Sequence, residues 1–207
     1  MARFVQLEYE DKYDRMCGEP YIDFIDTYSA AYRKSVFQEN DGFDPTFPRA
    51  SGEDIDFSWR LSRKGHKMVF APNAVVYHRH VASLLDYMRR KYYVGYWRVL
   101  MYRHHPGKMM SDSHTPQTLK LQVGLAGLLI PTLLGAILWQ ELLWVSLAII
   151  GIFVVSILPF EFKAARKDLA VATVAPGLLF LRAIALGVGF AVGLLGYLRG
   201  NLEDASV

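Results

Sequence analysis

Three acidic residues, Glu53, Asp54 and Asp56, lie within four positions at the start of a segment that has the composition of a helix. A carboxylate held beside a substrate hydroxyl can accept its proton as a new bond forms, which is general base catalysis. Acids in the first turn of a helix also satisfy free backbone N–H groups and the helix dipole, for about 0.3–1 kcal/mol. The spacing alone therefore leaves a catalytic base and helix electrostatics open.

Local signals predict the elements that would position these acids. Ser51, followed by Asp54 three residues later, approximates a capping box, and Gly65 is placed to follow the end of the helix. Apolar clustering predicts short strands over residues 21–28, 66–72 and 74–80, and a helix over residues 29–40. We therefore expect an α/β arrangement around the acids.

A second chemical signal is the pair His78 and His80, which flank Arg79 where the last predicted strand ends. Alternation along a strand would point both imidazoles to the same side. A His-x-His pair can ligate a metal ion. Two unrelated histidines, one packed and one exposed, would produce the same pattern.

The segment 52–80, GEDIDFSWRLSRKGHKMVFAPNAVVYHRH, resembles the distal half of a glycosyltransferase family 2 domain of the A-type nucleotide-sugar fold. The segment 21–47, with Arg33 and the turn Gly42-Phe43-Asp44, is similar to the acceptor side of that family. The resemblance covers residues 21–106. It implies a partial α/β A-type domain in residues 1–83, followed by an all-α transmembrane region of two to three spans.

The resemblance also implies roles for individual residues. Asp54 would be the catalytic base, with Glu53 orienting it or contacting the acceptor, and His78, with His80 in reserve, would complete the shell of a Mg²⁺ or Mn²⁺ ion. Contacts to the acceptor or the diphosphate are expected from six further residues: Arg33, Asp44, Arg60, Arg90, Lys91 and Trp97. The family's nucleotide-binding half, with the main carboxylate ligands of the metal, has no counterpart here. We therefore expect the chain to be the distal part of a longer enzyme and inactive by itself.

Residues 119–207 form the predicted membrane region. The windows 121–139 and 142–160 have the length of about 20 apolar residues that a bilayer span requires. Core helices of a soluble protein are the alternative, but two adjacent full-length runs are hard to bury in 207 residues. Lys and Arg are concentrated before the first span and in the loop at 161–168, so the head and this loop are expected in the cytoplasm, at the inner or plasma membrane.

The third apolar region, residues 169–198, contains Arg182 near its middle. A charge at the bilayer centre is costly. We therefore expect an interfacial helix over 169–181, broken at Pro176, and a short span over 183–198, which leaves Arg182 at headgroup level. An embedded arginine paired with a lipid phosphate is the alternative.

Residues 84–118 contain a basic, aromatic helical segment and a linker. Three roles are open for this helix: a solvated surface helix, an interfacial helix with Tyr and Trp at headgroup depth, or part of the substrate site. We favour the interfacial helix. The formal net charge of +3 is too small to imply a nucleic-acid partner.

The predicted function is an inverting glycosyltransferase of the hexosyltransferase type. It would move a sugar from a nucleotide-diphosphate donor to a lipid-linked or cell-envelope glycan acceptor at the cytoplasmic membrane face. The alternative is a non-catalytic membrane anchor or assembly module that lacks the nucleotide-binding half.

Overall fold

The computed structural model describes residues 1–47, 52–110 and 112–200. Four helices belong to the polar part of the chain: α1 (Ala2–Cys17), α2 (Lys34–Glu39), α3 (Glu53–Arg63) and α4 (Leu84–His104). Three long apolar helices follow: α5 (Gln117–Gly135), α6 (Leu142–Lys167) and α7 (Leu169–Leu198). Short 3-10 turns lie at Thr27–Ser29 and Pro106–Met109.

The predicted α/β class is wrong. No strand forms within the three described ranges, where a single antiparallel bridge joins Ile22 to Met68. Ile22 and Phe24 alternate into the interior as predicted, but they pack against Phe57 and Leu61 of α3 in an apolar cluster. One bridge between two extended segments is not a ladder of paired residues. An isolated pair of strands is also only marginally stable without further strands beside it.

The helix that carries the acids is confirmed. It runs from Glu53 to Arg63, after Gly52, while the proposed cap Ser51 lies outside the described residues. Gly65 has a φ of 82°, in the left-handed region that favours glycine after a helix end. The His66 amide donates to the Leu61 carbonyl at 3.1 Å, and the Gly65 amide donates to the Ser62 carbonyl at 3.0 Å. These two bonds close the last turn.

Helix α1 has no counterpart among the sequence predictions. It buries Phe4, Val5 and Leu7 in the apolar cluster shared with α6 and α7. Its acidic side faces the α6–α7 junction, where Lys163 Nζ lies 2.7 Å from Asp14 and Lys167 Nζ lies 2.5 Å from Glu10. The start of the chain is thereby attached to the apolar helices.

Helices α5, α6 and α7, of 19, 26 and 30 residues, are each long and apolar enough to cross a membrane. Large apolar side chains, such as Leu134 and Val155, are exposed on their outer faces, as lipid contact requires. Residues 169–198 form one continuous helix, so the expected division into an interfacial part and a short span is absent. Pro176 lies inside this helix without breaking it, since neighbouring helices can support a proline in an apolar bundle.

Helix α4 packs on α7 with unusually close backbones. A Cβ added to Gly189 would lie 2.0 Å from the carbonyl oxygen of Tyr92, and one added to Gly95 would lie 2.2 Å from that of Leu186. Glycine spaced by four residues, here Gly189 and Gly193, lets helices approach in this way. This contact joins the head to the apolar helices.

Candidate active site

Asp54 lies half-buried in the first turn of α3. Its Oδ1 atom accepts from the Ile55 amide at 2.9 Å, and the Thr27 amide also donates to the carboxylate. Burial raises the pKa of Asp54 to about 6, and the charges of Glu53 and Asp26 act in the same direction. A carboxyl group with this pKa is ionised at neutral pH yet holds a proton well enough to act as a base.

Asp26 is the second carboxylate of the site. It accepts from Lys12 Nζ at 2.5 Å and from the Tyr13 hydroxyl at 3.1 Å. Burial lowers the pKa of Lys12, and the attraction of Asp26 opposes this effect. Tyr13 also contacts the hydroxyl of Tyr28. The charge of Asp26 is therefore compensated by a lysine from α1.

A cavity of about 460 Å³ opens beside Asp26. Its walls come from α1, from the turn Thr27–Ser29 and from the extended segment 69–80. Aromatic and apolar side chains dominate the lining, and no Lys or Arg of the described residues contributes to it. The side chains with polar atoms on this lining include Gln6, Tyr9, Tyr13, Asp26, Tyr28, Ser29, His78 and His80. The cavity is large enough for a small ligand, since ligand pockets usually measure about 300–1,000 Å³.

The two histidines lie together on this cavity. The His78 ring stacks on Tyr28 with 4.5 Å between centroids, and His80 Nε2 lies 2.8 Å from Gln6 Oε1. Within the described ranges, His, Cys, Asp and Glu form no group of three that could hold a metal ion. The described residues of the cavity do not by themselves fit a divalent cation, and a metal role for His78 or His80 stays a prediction.

Asp56 differs from Asp54 although it lies on the same helix. It is buried, and it accepts from Arg60 Nε and pairs with His105 Nε2, each at 2.8 Å. Burial alone would raise the pKa of Asp56, but the hydrogen bonds from His105 and Arg60 outweigh it and lower the pKa. Asp56 therefore stays ionised and serves the packing of the head.

Arg60 was predicted to contact substrate, but its guanidinium is occupied within the head. Besides Asp56, it donates to the carbonyls of Asn40 at 2.6 Å and Gly42 at 2.5 Å. These bonds hold the turn at 41–44 against α3. Asp44 shapes the same turn by accepting from the Thr46 amide at 2.8 Å.

The other predicted contact residues are distributed over the head. Arg33 is exposed directly before α2. Trp97 is buried with Phe47 in a cluster between α3 and α4, so it packs where the sequence predicted a substrate contact. Arg90 Nη2 lies 3.2 Å from the Tyr9 hydroxyl, which places it behind the cavity wall.

Lys91 belongs to a charged cluster that joins α1, α4 and α7. Its Nζ lies 3.2 Å from Glu8, and Arg182 Nη1 lies 2.7 Å from the same carboxylate. The Tyr87 hydroxyl donates to Glu8 at 2.9 Å, and Arg182 also donates to Gln122 Oε1 at 2.7 Å. Burial acts to raise the pKa of Glu8, but the two cations outweigh it and lower the pKa. Arg182 is thus paired with α1, an arrangement that neither sequence interpretation contained.

Sequence reasoning missed the residues that α1 contributes to the site, above all Lys12 and Tyr13. A usable signal was present in the spacing, because Tyr9 and Tyr13 are four residues apart and face the same side of a helix. Their partner Asp26 was read only as part of a strand.

The fold and the site together define a membrane-associated protein whose head carries an acid pair at a helix start, beside an aromatic cavity. Residues 13–190 match the model of the glycosyl transferase family group 2, and the chain belongs to this family. The predicted resemblance to glycosyltransferase family 2 is thereby confirmed.

The chain is also similar to pre-mycofactocin glycosyltransferases of two Mycobacterium tuberculosis strains, CDC 1551 / Oshkosh and ATCC 25618 / H37Rv. Each is 32% identical over 87 residues, which covers 42% of this chain and 18% of the relative. The chain thus spans less than a fifth of the length of these curated relatives. No solved structure matches the chain.

Proposed function

We propose that this chain provides the acceptor-side and membrane-anchoring part of an inverting glycosyltransferase. The sugar would come from a nucleotide-diphosphate donor, and the acceptor would be a lipid-linked or cell-envelope glycan. The observation that carries the proposal is the half-buried Asp54, whose pKa of about 6 is raised by burial and two neighbouring acids, in a chain of the glycosyl transferase family group 2. Perturbed carboxylates of this kind are concentrated at functional sites.

In this mechanism Asp54 accepts the proton of an acceptor hydroxyl. The oxygen forms a bond to the anomeric carbon while the bond from that carbon to the diphosphate oxygen breaks, and the electron pair leaves with the diphosphate. Attack from the face opposite the leaving group inverts the anomeric configuration. Glu53 and Asp26 act through Asp54, because their negative charges increase its affinity for the transferred proton.

The charge distribution supports a cytoplasmic head at the inner or plasma membrane. The basic end of α6 pairs with acidic residues of α1, through Lys163 with Asp14 and Lys167 with Glu10. The head and the α6–α7 junction therefore lie on the same side of the apolar helices. Basic residues accumulate on the cytoplasmic side of membrane proteins.

The second candidate function is a non-catalytic anchor or assembly module. It is favoured by the cavity lining, which contains no cationic side chain of the described residues for a diphosphate. It also fits the lack of a three-ligand metal group in the same part of the chain. Under the main proposal the donor and its metal ion would be held by a separate nucleotide-binding unit.

The test is sugar transfer in membranes that contain the chain together with its nucleotide-binding unit, measured with a panel of radiolabelled nucleotide sugars. Asp54→Asn is compared with Asp86→Asn, a matched change at the start of α4, where Asp86 accepts a hydrogen bond from Ser83 at 2.6 Å. Loss of transfer with Asp54→Asn alone supports the base. Equal transfer by both variants removes it, and no transfer or nucleotide-sugar binding by the wild type supports the anchor module.

A further inference from the structure

We infer that the cavity between α1, the turn Thr27–Ser29 and segment 69–80 is a subsite for an uncharged sugar ring of the acceptor. The inference rests on the proposed function and locates where one sugar ring of its glycan acceptor would bind. It assigns the binding of that ring to Tyr28 and His78, which were not predicted to bind the acceptor.

The aromatic surface of the cavity fits a sugar ring. Tyr28 and His78 stack with an interplanar angle of 24°, and Tyr9 lies 6.0 Å from Tyr28 between ring centroids. The face of a pyranose presents C–H groups that pack on aromatic rings, while its hydroxyls point outward. Tyr and His side chains suit such a ligand because they combine an apolar face with a polar edge.

The polar groups of the cavity also fit hydroxyls. Asp26 offers carboxylate oxygens as acceptors, and the Tyr13 hydroxyl, which donates to Asp26 at 3.1 Å, adds a second polar group. His80 lies on the same lining, with its Nε2 atom 2.8 Å from Gln6 Oε1. Imidazole nitrogens and amide groups are further hydrogen-bonding partners for hydroxyls.

The charges of the cavity exclude a diphosphate as its preferred ligand. Lys12 is paired with Asp26 at 2.5 Å, and the lining contains no Lys or Arg of the described residues. A diphosphate would therefore meet no uncompensated positive charge on the lining. A neutral polyhydroxyl ring needs no counter-charge and can use the Asp26 oxygens as acceptors.

The position of the cavity connects it to the base. The turn Thr27–Ser29 borders both sites, because the Thr27 amide donates to Asp54 while Tyr28 and Ser29 line the cavity. A ring bound on Tyr28 is thus held on the other side of a single 3-10 turn from the carboxylate. Such positioning of the acceptor is what a base needs in order to act.

The experiment is saturation-transfer NMR on the full chain in phospholipid nanodiscs, without sugar-based detergent. The probes are methyl α-glucoside, methyl α-mannoside, cellobiose and, as a charged comparison, UDP. We expect saccharide signals from the wild type, with an apparent Kd that rises about 5- to 10-fold in both Tyr28→Ala and His78→Ala. The matched control is Tyr77→Ala, which removes a fully exposed tyrosine from the same segment.

Saccharide binding that is lost with Tyr28 or His78 but kept in Tyr77→Ala supports the subsite. Three outcomes overturn it: no saccharide signal from the wild type, equal binding by all variants, or loss of UDP binding in place of saccharide binding. His78→Ala is expected to fold, because His78 is exposed. Circular dichroism verifies the fold of this variant. Asp54→Asn is examined in the transfer assay alone, so retained transfer by that variant refutes the base and not the subsite.

Discussion

Replacing Asp54 with asparagine should stabilise the protein while it removes the proposed base. In the folded chain the pKa of Asp54 is raised from 3.8 to about 6, by burial first and then by Glu53 and Asp26. A difference of about 2 pKa units corresponds to about 3 kcal/mol against the ionised form at pH 8. Asparagine has nearly the same shape, keeps an acceptor for the Ile55 and Thr27 amides, and carries no charge.

The pH dependence gives the sign of the effect. Because the folded pKa lies above the unfolded value, the contribution of Asp54 is fully present below about pH 3.8 and is lost as the pH rises through about 6. Asp54→Asn and wild type should therefore unfold alike near pH 4. At pH 8 the variant should melt on the order of 6–12 °C higher, since 1 kcal/mol shifts Tm by about 2–4 °C for a chain of this size.

Thermal unfolding followed by tryptophan fluorescence in nanodiscs measures this difference. The matched comparison is Asp56→Asn, two residues along α3, which removes a buried carboxylate bonded to Arg60 and His105. That variant should lose about 3–5 kcal/mol, because it leaves the Arg60 guanidinium and the buried His105 imidazole without their carboxylate partner. A lower Tm for Asp54→Asn at pH 8, comparable to that of Asp56→Asn, would refute the reasoning.

Three further predictions concern packing and charge. Glu8→Ala should cost about 3–5 kcal/mol by leaving the cations of α4 and α7 unpaired, and adding Arg182→Met should restore part of the lost Tm. Gly189→Leu should lower Tm or abolish folding, because its Cβ would lie 2.0 Å from a backbone oxygen of α4, whereas Gly124→Ala, with open space around it, should melt like wild type. His114, whose pKa is lowered by burial, should make stability fall as the pH drops below about 6.5, and His114→Phe should flatten that slope in the same melting assay.

The long apolar helices and α3 could be predicted because their signals are local. A run of about 20 apolar residues in a membrane must satisfy its own backbone hydrogen bonds, and it does so by forming a helix. Likewise, Gly65 ends α3 through its own backbone conformation. The division of α7 was predicted from the cost of Arg182, and it failed because Glu8, 174 residues away, provides the counter-charge.

The strands failed because a strand depends on partners that the segment itself does not encode. The buried positions of Ile22 and Phe24 were read correctly, but their surroundings are α3 and not a sheet. The acids show the same limit. Asp54 and Asp56 look equivalent in sequence, but burial, together with nearby acidic charges, raises the pKa of Asp54. The pKa of Asp56 is lowered because hydrogen bonds from His105 and Arg60 outweigh its burial.

The glycine contact between α4 and α7 limits how far the head can move relative to the apolar helices. Gly95 and Gly189 each lie in direct contact with the backbone of the facing helix. The head therefore has little freedom to rotate relative to the apolar helices. The distance between Asp54 and the bilayer surface is then set by the fold and not by a flexible tether. Under the proposed function, an acceptor would have to present its hydroxyl at that one height above the lipid.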